Sequence, residues 1–201
     1  MIKKNIKLQK LIKYYSLINH NLIFSDKAIN RYKQQFEATN QVKLKKLRAL
    51  KENIQNIKNC NLKKSATNIV FSDGNPDSKI MIIGEGPGAN EDKAGLPFVG
   101  LAGQLLDKML KAINLDRGNV YISNVVNYRP PSNRKPTSEE IERYLPFLIN
   151  HIEIINPKIL LLLGSTALNA IIGDKDVISK VRGKWFDKKI GICKTNVIAS
   201  F

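Results

Sequence analysis

Apolar positions recur along this chain with two periods, and the alternation between them predicts its elements. Residues 79–83 (Lys-Ile-Met-Ile-Ile) form a short run rich in β-branched side chains, as a buried strand requires. Leu105, Leu106, Met109, Leu110 and Ile113 have the spacing of one helix face. Residues 119–124 read as a second strand that ends on a polar side chain, Asn124. Thr137-Ser138-Glu139-Glu140 has the form of a capping box, and Ile141, Leu145, Leu148, Ile152 and Ile155 make the buried stripe of the helix it opens. Pro157 ends that helix. Residues 158–164 are apolar enough for a central parallel strand, Ser165 is placed to cap a helix through Leu168 and Ile172, and a short hairpin leads into a last strand at 196–201. Strands alternating with helices predict an α/β fold, a three-layer α/β/α arrangement around a central parallel sheet of about four strands.

Upstream the pattern is helical only. Leu8, Leu11, Ile12, Tyr15 and Ile18 share one face, Asn19, Asn21 and Asp26 mark a break, and a second helical pattern runs through Tyr32, Phe36, Leu44, Leu47 and Ile54. This divides the chain into a helical N-terminal extension over 1–58 and a domain over 59–201. Charge sharpens the division. Residues 1–66 hold 16 Lys+Arg against 3 Asp+Glu, a net +13, and the remainder holds 17 against 14, a net +3. A basic segment of this kind suits a polyanion such as nucleic acid, or is a solvated lysine-rich face. Two cysteines make no disulfide framework, and the N-terminus has no uninterrupted apolar stretch for a signal peptide or a membrane span. A cytoplasmic protein without a membrane partner is the expectation. His20, near the break, reads as a surface residue, and His151, within the later helix beside its stripe, as a packed or surface one.

The chemistry concentrates in residues 84–103. Six glycines and two prolines there let the backbone approach a ligand closely along a fixed path, and Glu85, Glu91 and Phe98 sit in the same loop. The third glycine is misplaced for a dinucleotide fingerprint, Pro87 interrupts it, and no Gly-Lys-Ser/Thr follows for a P-loop. Asn124 lies at a carboxyl strand end, where open α/β sheets bind ligands. Its amide offers a donor beside an acceptor, and the alternative is an Asx turn leading out of the strand. The loop at 129–136 (Arg-Pro-Pro-Ser-Asn-Arg-Lys-Pro) is rigid and cationic, fit either for phosphate or for pairing one arginine with a carboxylate of the glycine loop.

Gly84-Glu85-Gly86-Pro87-Gly88, then Glu91-Asp92, then Gly95-Leu96-Pro97-Phe98-Val99-Gly100-Leu101-Ala102-Gly103-Gln104-Leu105-Leu106 resembles the first motif of the family 4 uracil-DNA glycosylases. The resemblance extends over about 57–201, through Val70-Phe71-Ser72-Asp73-Gly74-Asn75-Pro76, the Asn124 strand, the proline loop and Arg182-Gly183-Lys184-Trp185. It implies hydrolysis of the N-glycosidic bond of uracil in DNA after the base is flipped from the stack. Glu85 and Asn124 are then the catalytic residues, Glu85 acting on water and on the cationic sugar, and Asn124 reading the base. Gly84, Gly86, Pro87, Gly88, Glu91 and Phe98 join Asn124 in holding the substrate. Phe98 stacks on the base, and amides around Gly86 and Gly88 face its oxygens. Arg129, Arg134 and Lys135 contact DNA, the protein's partner, and a monomer is expected.

Many family members carry a four-iron cluster on four cysteines. The corresponding positions here are Ile57, Cys60, Tyr128 and Tyr144, so no cluster, and no other metal or cofactor, is expected, with Cys60 a small buried side chain. In the family the last strand leads into a His-Pro motif, whereas this sequence stops at Phe201. The resemblance then implies an excision reaction slowed by loss of one donor to the departing base, a loss of about 10²–10³. The rival expectation is a DNA-binding module that retains the fold without turnover.

Overall fold

The computed structural model describes residues 31–173 and 177–201, with side chains from Asn40 onward. The pattern from Leu8 to Ile18, His20, and the side chains of Tyr32 and Phe36 lie outside the described residues. Compactness divides the chain between Ala38 and Thr39, and the sheet and its cores belong to the unit Thr39–Phe201. Composition puts the end of the N-terminal extension at 58. In helix α1 (Arg31–Gln55), however, Leu47, Leu50 and Ile54 are buried in the main core. Three apolar side chains at i, i+3 and i+7 make one stripe, and Leu44, expected on it, is exposed.

Six strands form one sheet in the order β1-β3-β2-β4-β6-β5. They are β1 (Asp73–Gly74), β2 (Ile80–Gly84), β3 (Tyr121–Asn124), β4 (Ile159–Leu163), β5 (Trp185–Ile190) and β6 (Cys193–Ser200). The four inner strands run parallel, as the sequence predicts. The edges β1 and β5 are antiparallel. β1 has two residues, too few to show a period. The remaining helices are α2 (Asn61–Ser65), α3 (Ala89–Ala94), α4 (Leu101–Ala112), α5 (Ser138–Ile155), α6 (Ser165–Ile172) and α7 (Ile178–Val181).

Because side chains alternate along a strand, each inner strand feeds two cores. Met81, Ile83, Tyr121, Leu160 and Leu162 pack with α1, α2, α5 and α6 on one face. Val120, Ile82 and Ile122 meet Leu106 and Leu110 of α4 on the other. Three layers result. The stripe expected on α4 is only half right: Leu105, Met109 and Ile113 are exposed, because the helix rests on Gly103, Leu106 and Leu110, about 100° around its axis. The capping box of α5 forms as expected, with Glu140 N donating to Thr137 Oγ1 (3.3 Å) and Thr137 N to Glu140 Oε2 (2.8 Å). Ser165 does not cap α6; that position belongs to Gly164, at φ +90°.

From β2 the chain passes through α4 to β3 on one side, then back through α5 to β4 on the other. The connections part at β2 onto opposite faces, which puts the topological switch point, where open α/β sheets bind ligands, beyond the carboxyl ends of β2, β3 and β4.

His151 belongs to the core. It is 2 % exposed, its ring stacks on Phe71 at 4.6 Å, and its Nε2 lies 2.9 Å from the Tyr121 hydroxyl, which donates to Ser72 Oγ. Burial lowers its pKa from 6.5 to about 3. The unfolded chain therefore takes up a proton that the folded chain refuses. Stability present above pH 6.5 is lost as pH falls toward 3, at about 1.4 kcal/mol per pH unit. Urea melts at pH 7.5 and pH 5 test this, and an unchanged midpoint speaks against it.

Candidate active site

Gly84 ends β2 and lies opposite Asn124, which ends β3. A Cβ built on Gly84 would stand 2.5 Å from Phe98 Cζ and 2.6 Å from Asn124 Oδ1. The Phe98 ring and the Asn124 amide thus meet over the one residue type that leaves room for both. Glu85 is the next residue in the chain and is half-buried. The loop and the two strand ends therefore bring Phe98 and Asn124 to one place, with Glu85 next to it in the chain.

Asn124 is 3 % exposed, and its side-chain amide makes no hydrogen bond to another described residue; among the described residues the fully buried side-chain atom without a partner is Thr195 Oγ1, so the Asn124 amide keeps access to solvent. The Asx turn left open by the sequence does not form, because the Val125 and Val126 amides donate to the carbonyls of Gly84 (2.9 Å) and Glu85 (3.2 Å). Asn127, equally buried, makes the contrast. Its Nδ2 donates to Val70 O at 3.1 Å and Phe71 O at 3.4 Å and ties the connector to the sheet.

Glu91, expected among the substrate contacts, instead braces the loop. Gly88 N donates to its Oε2 (3.1 Å), and Val99 N (2.9 Å) and Gly100 N (2.7 Å) donate to its Oε1. The Gly88 amide, expected to face a ligand, is occupied by the same contact. Gly86 packs against Val126 and Pro87 is buried. Phe98 itself sits at φ +56°, a conformation unusual for a non-glycine residue. Arg117 supports it, donating to Phe98 O through Nη2 and to Pro97 O through Nη1 (3.1 Å). Arg117 also pairs with Asp73 (2.7 Å) and Asp107 (2.9 Å). Burial works against its charge, but the hydrogen bonds to Asp107 and Asp73 prevail and hold the guanidinium above its ordinary value. A side chain at Gly103 would overlap the Phe98 carbonyl. Neither Arg117 nor Gly103 stands out in the sequence as a support for Phe98, since their contacts form only in the folded chain.

Arg134 makes a bidentate pair with Glu140 (2.8 and 2.6 Å), the carboxylate of the capping box, rather than with a carboxylate of the glycine loop. Arg129 Nε donates to Asn133 Oδ1 (2.7 Å), and Lys135 is exposed.

The four positions at which the resemblance would place cluster cysteines, Ile57, Cys60, Tyr128 and Tyr144, carry one thiol, two phenols and an aliphatic chain. Cys60, Tyr128 and Tyr144 are buried in the large core, with Cys60 Sγ 3.4 Å from the Tyr144 hydroxyl, and Ile57 packs against it. Burial, with Cys60 beside it, pushes the Tyr144 hydroxyl above the tyrosine range, so it remains a neutral phenol. The hollow bordering Cys60 and Tyr144, about 330 Å³, is otherwise lined by Asn59, Asn61, Arg134 and Arg143 among others. This donor set does not fit a four-iron cluster.

A family model described as "Uracil DNA glycosylase superfamily" matches residues 71–201. The chain is 47 % identical over 137 residues to the Type-4 uracil-DNA glycosylase of Thermotoga maritima, covering 68 % of this chain and 71 % of that one. It is 43 % identical over 148 residues to the Type-4 uracil-DNA glycosylase of Pyrobaculum aerophilum (72 % and 76 % covered). It is 41 % identical over 152 residues to that of Archaeoglobus fulgidus (74 % and 76 %). The matched span includes β2, the glycine loop and the Asn124 strand end. By sequence and by the site it builds, the chain belongs to the uracil-DNA glycosylase superfamily.

Proposed function

We propose that the protein excises uracil from DNA, hydrolysing the N-glycosidic bond of a base turned out of the stack. The observation that carries this is Asn124: a solvent-reachable amide with no hydrogen bond to a described residue, held against an aromatic ring over Gly84. A planar base with adjacent donors and acceptors completes such a site, stacked on Phe98 and hydrogen-bonded by Asn124. Stacking offsets part of the unstacking cost, about 1–3 kcal/mol per base. As the base leaves with the bond's electron pair, the sugar becomes cationic. Glu85, the residue after Gly84, stabilises that charge and orients the attacking water. His151, in the core at the amino end of β3, takes no part. Arg129 and Lys135 are the phosphate contacts of the proline loop, and Arg134 fixes that loop through Glu140.

The test is release of uracil from a uracil-containing oligonucleotide by the full chain. Product from the wild type is expected; DNA binding without product would sink the reading and leave a binding module. The same reading has no iron–sulfur cluster in the protein. Expressed with iron and sulfide and purified without oxygen, it is expected to contain no bound iron and to keep its melting temperature in chelator. Stoichiometric iron would contradict this.

A further inference from the structure

The geometry points to Thr166 as a positioning residue for Glu85, an inference that rests on the role of Glu85 proposed above. β4 lies beside β2 with Leu162 opposite Ile83, so the chain leaving β4 turns into α6 next to the residue that follows β2. Thr166, in the first turn of α6 and 8 % exposed, donates its hydroxyl hydrogen bond to Glu85 Oε2. The carboxylate accepts and the hydroxyl donates. The cap of α6 uses no side chain, so this hydroxyl is not a helix cap. Among the described residues Glu85 Oε1 has no protein donor.

A glutamate has three side-chain torsions and, half-buried beyond the end of β2, would sample several rotamers. The hydroxyl holds one oxygen against α6 and turns the other to where water must attack. The bond is already formed in the free protein. Its contribution therefore falls on turnover, through the geometry of the reacting groups, rather than on DNA affinity.

The experiment measures kcat and KM of the full chain on a uracil-containing single-stranded oligonucleotide for wild type, T166V, T166A, T166S, E85Q and E85Q/T166V. Circular dichroism and melting temperature report folding, and T166A serves as the hydroxyl-free variant if valine does not fold. Loss of a hydrogen bond to a charged group is expected to lower kcat about tenfold or more with KM unchanged. T166S, which retains the hydroxyl, is expected to restore kcat, and T166V is expected to add nothing in the E85Q background. A hydroxyl-free variant as fast as wild type beside an impaired E85Q overturns the role of Thr166 alone. So does a T166S as slow as T166V, because the methyl group would then matter rather than the hydroxyl. An E85Q enzyme as fast as wild type, or a wild type without turnover, overturns the underlying reading and this inference together.

Discussion

Replacing Asn124 by alanine is expected to lower uracil excision by about 10²–10³, the usual loss when one preorganised hydrogen-bonding group is removed from a site. The same change is expected to leave stability within about 1 kcal/mol of wild type, because no protein hydrogen bond is broken. Asn127 makes the control. It is just as buried, but N127A leaves Val70 O without its side-chain donor and is expected to cost about 1–3 kcal/mol. Excision kinetics and denaturant melts on both variants separate a residue kept for a ligand from one kept for the fold. If N124A unfolds as easily as N127A and its activity falls only with its folded fraction, Asn124 is structural.

Gly84→Ala is expected to abolish most activity by a different route. The added methyl would stand 2.5 Å from the Phe98 ring and 2.6 Å from Asn124 Oδ1, so one of them must move by about 1 Å to reach ordinary contact. A displacement of that size at a reacting centre costs about 10² in rate. Overpacking adds about 1–3 kcal/mol of destabilisation. Phe98→Ala is the counterpart, since it removes the stacking surface but opens space. G84A combined with F98A is expected to relieve the clash with the ring but to leave that with Asn124 Oδ1. Wild-type rates from G84A would mean that Phe98 and Asn124 do not share a hollow with this strand end.

How much of this site is legible along the chain depends on how local each relation is. Gly84, Glu85, Phe98 and Asn124 announce themselves as loop and strand-end residues, and the fold does bring Gly84, Phe98 and Asn124 together. The four inner strands are legible because runs such as Ile80-Met81-Ile82-Ile83 carry their own signal. The edge strand β1 and the placement of Leu50 in the core are not, since two residues have no period and one leucine joins a stripe only through what it touches. Glu91 misleads for the same kind of reason. A carboxylate in a ligand loop looks available until the folded loop turns the amides of Gly88, Val99 and Gly100 onto it. Arg134 looks free for phosphate until Glu140 meets it.

The order of residue types along the chain determined the alternation of strand and helix, the stiff glycine turn, the basic N-terminal third and the absence of three of four cluster thiolates. These follow from period, backbone permissiveness and side-chain chemistry, which act over a few residues. Tertiary structure alone decided which polar groups remain available. Asn124 is left without a protein partner while Asn127 and Glu91 are occupied, and Arg117 and Thr166 are drawn in from 19 and 81 positions away to support Phe98 and Glu85. Hydrogen-bonding capacity is taken up by whatever the fold brings within about 3 Å, and the sequence does not record that proximity.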